Sequence, residues 1–369
     1  MPPQHDAHLT PGETRGLLAY FGLDFTRDSP LWGLPEDAPA DPRTLAEKHL
    51  LAREWRQAIG ALASPDRVVR LLVAYPHQIG GMSFYGRGDG DGLVGCWAEE
   101  GRIRISFPRT ADALVRQACR LLAADFPAQM DAFEAELSPG GLAWLAAAVD
   151  VLRQHLLRGM LERSSAAEVL LTRQALEQVY LDGRQSADAR WLVTLLGLLA
   201  PPAAPLPDAL DDAALGELAD AGLVRREGGS LLATETLCRL AAYWITPLPA
   251  LAHQAIRLDG QEPAVSQYRI ALRGAGPLWL LDFWRDEQRG PRVALLSVLG
   301  SAYRATLQAM MHAVTGRPAQ DARPAPPAPA PAPAAARPPA LPAGHFCSAC
   351  GAPLAGGARF CTQCGHAAQ

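Results

Sequence analysis

The sequence predicts an α+β fold in which antiparallel β-meanders pack with a bundle of helices, followed by a small cysteine-rich module. Residues 68–107 and 267–298 are short apolar runs broken by turn residues, which is typical of strands joined by hairpins. Between them, apolar side chains recur at three- and four-residue spacing, which is typical of amphipathic helices. Four of the seven cysteines form two close pairs near the C-terminus.

Composition narrows the class of protein. The chain has 369 residues, 49% of them hydrophobic, which is enough for one large domain or two ordinary ones. The net charge of −4 gives no reason to expect nucleic acid or an anionic membrane as partner. The N-terminus lacks a positive region followed by an apolar run, and the longest apolar runs fall short of the roughly 20 residues that span a bilayer. We expect a cytoplasmic protein, and the heavy use of Ala, Arg, Pro and Gly is consistent with a bacterial source.

Two helices are predicted before the first strands. Thr10 is a capping residue, Pro11 takes the first helical position and Glu13 follows the cap by three residues, which is the pattern of a helix start. A second helix is predicted to begin near Asp41-Pro42. Apolar residues recur along it at helical spacing and predict one buried face. They are Leu51, Trp55, Ile59 and Leu62.

The first meander is predicted from four short runs rich in β-branched and aromatic residues. They are Val68–Tyr75, Gly81–Gly86, Leu93–Glu99 and Arg102–Phe107. The last run alternates strictly, with Ile103, Ile105 and Phe107 on one face. An amphipathic helix at Ala111–Ala124 closes the unit. The glycine-rich stretch Gly86–Gly92 joins two strand patterns rather than a strand and a helix, so it is interpreted as a hairpin loop and not as a phosphate-binding loop.

The middle of the chain is predicted to be helical. One helix begins at Ser138-Pro139 and runs to Leu161, and two more are predicted at Ala166–Tyr180 and Ala187–Ala200. The proline-rich stretch Pro201–Pro207 ends this region.

Residues 208–245 predict a helix (Asp211–Gly222), a hairpin around Gly228-Gly229 and a second helix. This order resembles the second half of a winged-helix domain, and the resemblance implies that the helix before the hairpin enters DNA. Seven acids and three arginines give this stretch a net charge of 3 − 7 = −4, which opposes phosphate contact. The charged residues are Asp208, Asp211, Asp212, Glu217, Asp220, Glu227, Glu235, Arg225, Arg226 and Arg239. A winged helix here is therefore expected to bind protein.

After Pro249 the strand pattern returns in three runs, followed by a helix. They are Gln267–Arg273, Pro277–Trp284 and Arg292–Val298, with the helix at Ser301–Val314. A meander followed by a helix thus occurs twice, at 68–124 and 267–314, which predicts an internal duplication. Repeated meanders with intervening helices are similar in outline to the EspG-type chaperones of type VII secretion, and this resemblance implies a secretion-chaperone-like protein.

The predicted domain organisation has four parts. Residues 1–135 form an N-terminal α+β part with the first meander, and residues 136–317 hold the helices, the winged-helix-like segment and the second meander. Residues 318–344 are a linker, because ten prolines between Pro318 and Pro342 alternate mostly with alanine and favour extended polyproline II. At about 3.1 Å per residue, this linker spans up to roughly 75 Å. Residues 345–369 form the cysteine-rich module.

Two Cys-x-x-Cys pairs, Cys347/Cys350 and Cys361/Cys364, lie in Phe346–Gly365 with ten residues between them. Each pair points two thiolates at one metal, and two pairs complete the tetrahedron that zinc accepts. This motif resembles the zinc-ribbon family of the double-knuckle type. Four thiolates leave zinc no open position for water or substrate, so one structural Zn²⁺ is predicted.

Disulfide bonds or a redox pair are the alternative to zinc. The other cysteines, Cys96, Cys119 and Cys238, lie singly in apolar segments, where cysteine usually behaves as a small buried hydrophobe. A chain with three unpaired thiols suits a reducing compartment. In such a compartment, two Cys-x-x-Cys pairs indicate a metal site.

Catalytic patterns are missing from the sequence: there is no HExxH, no nucleophile elbow and no phosphate loop ending in Gly-Lys-Ser. We therefore expect a non-enzymatic protein, and the sequence identifies no small-molecule substrate. The favoured hypothesis is an adaptor whose α+β core binds one protein partner and whose tethered zinc ribbon binds another. The alternatives are a winged-helix DNA-binding transcriptional regulator and a secretion-chaperone-like protein.

Overall fold

The computed structural model describes residues 5–35, 37–75, 78–88, 92–125, 132–162, 170–227, 230–245, 249–258 and 264–315. It confirms the α+β class, with one large antiparallel sheet, one small sheet and helices packed against the large sheet.

Ten helices occur in the described residues. They are α1 (Pro11–Phe21), α2 (Pro42–Glu47), α3 (Arg53–Ala63), α4 (Ala111–Leu121), α5 (Pro139–Glu162), α6 (Arg173–Gln185), α7 (Leu192–Leu199), α8 (Asp212–Asp220), α9 (Glu235–Tyr243) and α10 (Gly300–Thr315). None of the helices in these ranges is long and apolar enough to cross a membrane.

Fourteen strands occur in the same residues. They are β1 (His5–Leu9), β2 (Arg67–Tyr75), β3 (Gln78–Gly86), β4 (Gly92–Glu99), β5 (Arg102–Thr110), β6 (Glu134–Leu137), β7 (Leu170–Leu171), β8 (Val224–Glu227), β9 (Ser230–Ala233), β10 (Ala250–Arg257), β11 (Ala264–Val265), β12 (Tyr268–Arg273), β13 (Leu278–Asp286) and β14 (Gly290–Val298).

The large sheet is built from two halves with the same order of elements. Its strand order is β1-β5-β4-β3-β2-β10-β12-β13-β14-β6, with β11 paired to β10. Each half is a four-stranded meander whose last strand pairs with a short strand that precedes it in the chain. The halves meet where β2 and β10 pair antiparallel, from Arg67 opposite Arg257 to Ala74 opposite Ala250. The repeat predicted from the sequence is thus confirmed as a repeat of topology.

Helices cover both faces of this sheet. One face packs against α4 and α10, which contact each other and close a core that includes Leu71, Phe84 and Leu280. The opposite face is covered in two parts. The helices α1–α3 lie over the first half, around Ile105 and Phe107, and α5 with its neighbours lies over the second half, around Trp279. The apolar face predicted for β5 is confirmed, because Ile103, Ile105 and Phe107 are all buried. The opposite face is not uniformly exposed, since Ser106 is buried as well.

The predicted helix start at Thr10 is confirmed as a capping box. The Thr10 hydroxyl accepts the Glu13 N–H at 3.1 Å, and a Glu13 carboxylate oxygen accepts the Thr10 N–H at 2.8 Å. The helix start predicted near Asp41-Pro42 is confirmed, because Asp41 caps α2, but the expectation of a single helix is wrong. The chain forms α2 and then α3, separated by a turn in which His49 has φ of 55°. Trp55, Ile59 and Leu62 share the buried face of α3 as predicted, whereas Leu51 lies in the turn.

Several other elements differ from the sequence-based expectation. The helix predicted at Ala166–Tyr180 begins at Arg173, where the Thr172 hydroxyl caps it by accepting the Ala175 N–H at 3.2 Å. Residues 163–169 lie outside the described ranges. The strands β1, β6 and β10 were not predicted from the sequence. The central strand β10 reads ALAHQAIR, and its alanines and its histidine carry a weak strand signal although most of it is buried.

A buried ion pair connects α5 to α7. Asp150 lies in the middle of α5, and its carboxylate accepts the N–H groups of Leu192 and Val193, both at 3.0 Å. The same carboxylate accepts the Arg153 guanidinium at 2.9 Å, and Arg153 also donates to the Arg190 carbonyl at 2.7 Å. Asp150 therefore caps the first turn of α7, whose own N-cap residue makes no side-chain hydrogen bond. Burial raises the pKa of Asp150, and the two N–H groups and Arg153 oppose that rise.

Candidate functional site

The metal site predicted from the sequence lies at the C-terminus. Its four ligands, Cys347, Cys350, Cys361 and Cys364, are outside the described residues, as are the linker and the rest of the module. In the described part of the chain, no group of three or more His, Cys, Asp or Glu side chains is placed to hold a metal ion. The zinc assignment therefore depends on the tail alone.

The larger of two basic clefts in the described core lies between α3 and the strands β4 and β5, with a cavity volume of about 990 Å³. Arg53, Arg56 and Arg87 line it, and Glu54 is the one carboxylate among its described lining residues. The arginines of α3 are exposed because Trp55, Ile59 and Leu62 take the buried face of that helix. The cleft suits an anionic ligand with an apolar part.

An aromatic group closes one end of this cleft. The His5 imidazole stacks on Phe107, with ring centroids 5.0 Å apart, and meets Trp55 edge-on at 6.5 Å. Cleft residue Arg87 donates to the Gly60 carbonyl at 3.3 Å, which links the β3–β4 loop to α3. The loop joins two strands as predicted, and its Asp89 and Asp91 lie outside the described residues.

The three cysteines of the core are not activated. Cys96 and Cys119 are buried and Cys238 is half-buried. Burial raises the pKa of Cys96 to about 12 and also raises the pKa values of Cys119 and Cys238. The nucleophile is the thiolate, so these thiols are inert near neutral pH, as predicted for small buried hydrophobes.

One histidine is fully buried at the centre of the molecule. His253 lies on β10, in the strand pair that joins the two halves, and its ring meets Tyr303 of α10 with centroids 5.8 Å apart. Burial, and secondarily the positive charge of Arg269, lowers the pKa of His253 from 6.5 to about 3. Burial also raises the pKa of Tyr303 well above 10. Both groups are neutral in the folded protein at neutral pH.

We expect His253 to make the core sensitive to acid. The unfolded imidazole takes up a proton below about pH 6.5, whereas the folded one does so only near pH 3. Stability is therefore lost as the pH falls through this window, by about 2–3 kcal/mol at pH 4.5 relative to pH 7. Urea unfolding of wild type and His253→Leu at several pH values measures the effect. The difference between their free energies of unfolding should change by that amount between pH 7 and pH 4.5.

The helix–hairpin–helix predicted at 208–245 is confirmed as α8, β8, β9 and α9. The two-residue strand β7 adds to it and gives a small sheet of order β7-β9-β8. The helix before the hairpin packs on α5 through Ala214 and Leu218. Glu217 accepts the Ser138 N–H at 2.6 Å and pairs with Arg292 at 3.2 Å. The helix that would read DNA is thus acidic and partly engaged with the core.

The end of α5 presents an apolar surface to solvent. Leu157, Met160 and Leu161 are 39, 64 and 86% exposed, and their spacing places them on one side of the helix. We call these three residues the α5 stripe. Clustered exposed apolar side chains are a common feature of surfaces that bind other molecules. The apolar spacing of these residues can be seen in the sequence. The buried part of α5 is apolar too, so the sequence pattern does not show at which residue the helix becomes exposed.

Comparison with known proteins identifies the tail and leaves the core unassigned. The zinc-ribbon domain family matches residues 346–367. No curated protein matches the chain. Among solved structures, the chain is similar to the type VII secretion system chaperone EspG5 of Mycobacterium tuberculosis, solved in complex with a PE25–PPE41 dimer. The two share 12% identity over 84% of this chain and 97% of that one, with a TM-score of 0.43, which assigns neither function nor partner. Residues 346–367 are a zinc-ribbon domain, and such domains bind zinc.

Proposed function

We propose that this protein is a non-enzymatic adaptor, whose α+β core binds one protein partner and whose zinc ribbon binds another. The observation that carries the proposal is the combination of a C-terminal zinc ribbon with a core whose α5 stripe is exposed. The proline-rich linker connects the two parts and raises the concentration of one partner near the other.

Zinc has a structural role in this proposal. One ion is held by Cys347, Cys350, Cys361 and Cys364, which is a closed set of ligands. A small ribbon lacks the residues to bury an adequate core without metal. Zinc therefore stabilises a compact surface for a partner and takes no part in a reaction.

Two other functions fit the chain less well. A DNA-binding regulator needs a basic, accessible recognition helix, whereas α8 carries Asp212, Glu217 and Asp220 and packs on α5. A secretion-chaperone-like role would also use a protein-binding core, but no residue of this chain argues for it specifically. The adaptor is the proposal that uses both the ribbon and the α5 stripe. A reducing, cytoplasmic location suits its unpaired core thiols.

Affinity capture with four proteins tests the adaptor. The full chain, a variant ending at residue 317, a Leu157→Ser/Met160→Ser/Leu161→Ser variant and a Val265→Ser control are compared, with captured proteins quantified by mass spectrometry. The control replaces an apolar residue that is 54% exposed elsewhere on the core. We expect the truncation and the stripe variant each to lose a different set of proteins by about tenfold or more.

The capture experiment contradicts the adaptor if both variants lose the same proteins, because that result places all binding on one surface. Retention of every captured protein by both variants contradicts it as well. Circular dichroism of the stripe variant must match that of the full chain, since the three serines replace exposed side chains and are expected to leave the fold intact.

A further inference from the structure

Three arginines line the second basic cleft, on the side of α4 turned away from α10. Arg116 and Arg120 lie on α4, and Arg109 lies near the end of β5. Together with Ala113, Gln117 and Leu121 they line a concave site with a cavity volume of about 620 Å³. We call this site the arginine cleft.

Local structure explains why the arginines converge. Arg116 and Arg120 are four residues apart, so they occupy neighbouring turns on one face of α4. That face points to solvent because Leu114, Val115 and Ala118 are buried on the other. Across the cleft, the Arg109 Nε donates to the hydroxyl of Ser106 at 3.2 Å, which orients its guanidinium.

Carboxylates lie near the arginine cleft but do not line it: Asp112 precedes Arg116 by one turn of α4, and the charge of Arg109 contributes to lowering the pKa of Asp6. No carboxylate is among its lining residues, and neither Arg116 nor Arg120 has an ion-pair partner in the described ranges. Other arginines of the surface are paired. Examples are Arg104 with Asp6, Arg173 with Glu177 and Asp212, Arg292 with Glu136, and Arg304 with Asp125. Three guanidinium groups that face one cavity repel each other, and a bound anion relieves that repulsion.

We propose that the arginine cleft binds the diphosphate group of a small soluble ligand. Guanidinium groups bind phosphate oxygens through pairs of parallel N–H donors, and several such forks match the several oxygens of a diphosphate. The Gln117 amide adds a neutral donor at the rim. The cavity is concave and of the size that small-molecule sites have, whereas a nucleic-acid duplex needs an extended basic surface. This site lies outside the proposed adaptor surfaces and stands independently of them.

Calorimetric titration of the full chain with inorganic pyrophosphate at physiological ionic strength tests the proposal. We expect saturable binding of one pyrophosphate per chain. Arg116→Gln/Arg120→Gln should weaken it by about tenfold or more, because two of the three forks are lost. Arg116→Lys/Arg120→Lys keeps both positive charges but removes the paired N–H donors of the guanidinium groups, so it should give an intermediate affinity. Arg225→Gln/Arg226→Gln removes two exposed arginines from β8 and should bind like wild type.

Three results would overturn the proposal. The first is no saturable binding up to millimolar pyrophosphate. The second is equal loss of affinity in the α4 glutamine variant and the β8 control, which would show non-specific attraction to positive charge. The third concerns the source of the phosphate. If the chain binds phosphatidylglycerol vesicles through Arg116 and Arg120 and pyrophosphate does not compete, the cleft recognises a lipid surface and not a soluble ligand.

Discussion

The purified chain is expected to contain one zinc ion, and a Cys347→Ser/Cys361→Ser variant none. Each substitution removes one thiolate from a different Cys-x-x-Cys pair, so the remaining two cannot close the tetrahedron. Structural zinc contributes on the order of 10–16 kcal/mol of binding free energy in comparable small modules, and that energy is folding energy. Loss of zinc should therefore unfold residues 346–365. Elemental analysis and proton NMR of the full chain measure both effects.

The core should not respond to the loss of zinc. It has its own sheet and helices, with three apolar clusters in the described residues. Calorimetry of the full chain with and without a chelator is expected to give the same core melting temperature. Cys96→Ser/Cys238→Ser is the matched control, since it removes two core thiols and should keep one zinc per chain. Equal zinc in wild type and the Cys347/Cys361 variant would contradict the ligand assignment, and a drop of several degrees in the core transition would contradict independence.

Replacing Asp150 is expected to destabilise the helical layer strongly. Asp150→Ala leaves the Arg153 charge buried without its carboxylate and removes the acceptor of two N–H groups at the start of α7. Breaking one side of a buried ion pair costs on the order of 3–5 kcal/mol. Urea unfolding followed by circular dichroism measures this loss.

Two further variants separate the contributions at Asp150. Leu192 and Val193 donate to different carboxylate oxygens, so Asp150→Asn keeps an acceptor for only one of the two N–H groups and also loses the charge. Its loss of stability should still be smaller than that of the alanine variant, which keeps no acceptor. Glu177→Ala breaks the exposed pair with Arg173 and should cost at most about 1 kcal/mol. A loss below about 1 kcal/mol for Asp150→Ala would contradict the role of this carboxylate as cap and counter-ion.

The sequence predicted the strands of both meanders because their apolar residues lie between clear turn signals. It missed β10, whose alanines and histidine do not form a strand pattern, although this strand joins the two halves. This segment forms a strand because it pairs with β2 on one side and with β12 on the other. The sequence of β10 does not identify these two partners. Tertiary pairing outweighs the local preference of the segment.

The candidate sites differ in how well the sequence predicts them. The proposed zinc ligands follow from the spacing of the four cysteines, and the zinc-ribbon family matches the segment that contains them. The arginine cleft combines residues of β5 and α4. Whether Arg116 forms an ion pair depends on how the elements pack, so the sequence alone does not predict this site. The role of Asp150 was equally hidden, since its hydrogen bonds reach Leu192 and Val193, more than forty positions away.

The position of the β2–β10 pair has a consequence for synthesis on the ribosome. Arg67 and Arg257 face each other in this pair and are 257 − 67 = 190 positions apart. At about 5–20 residues per second, β10 emerges roughly 10–40 s after β2. During that interval the finished first half presents β2 as an open edge, with backbone groups free to pair with another nascent chain. A half-made chain therefore exposes a strand edge that the complete fold covers.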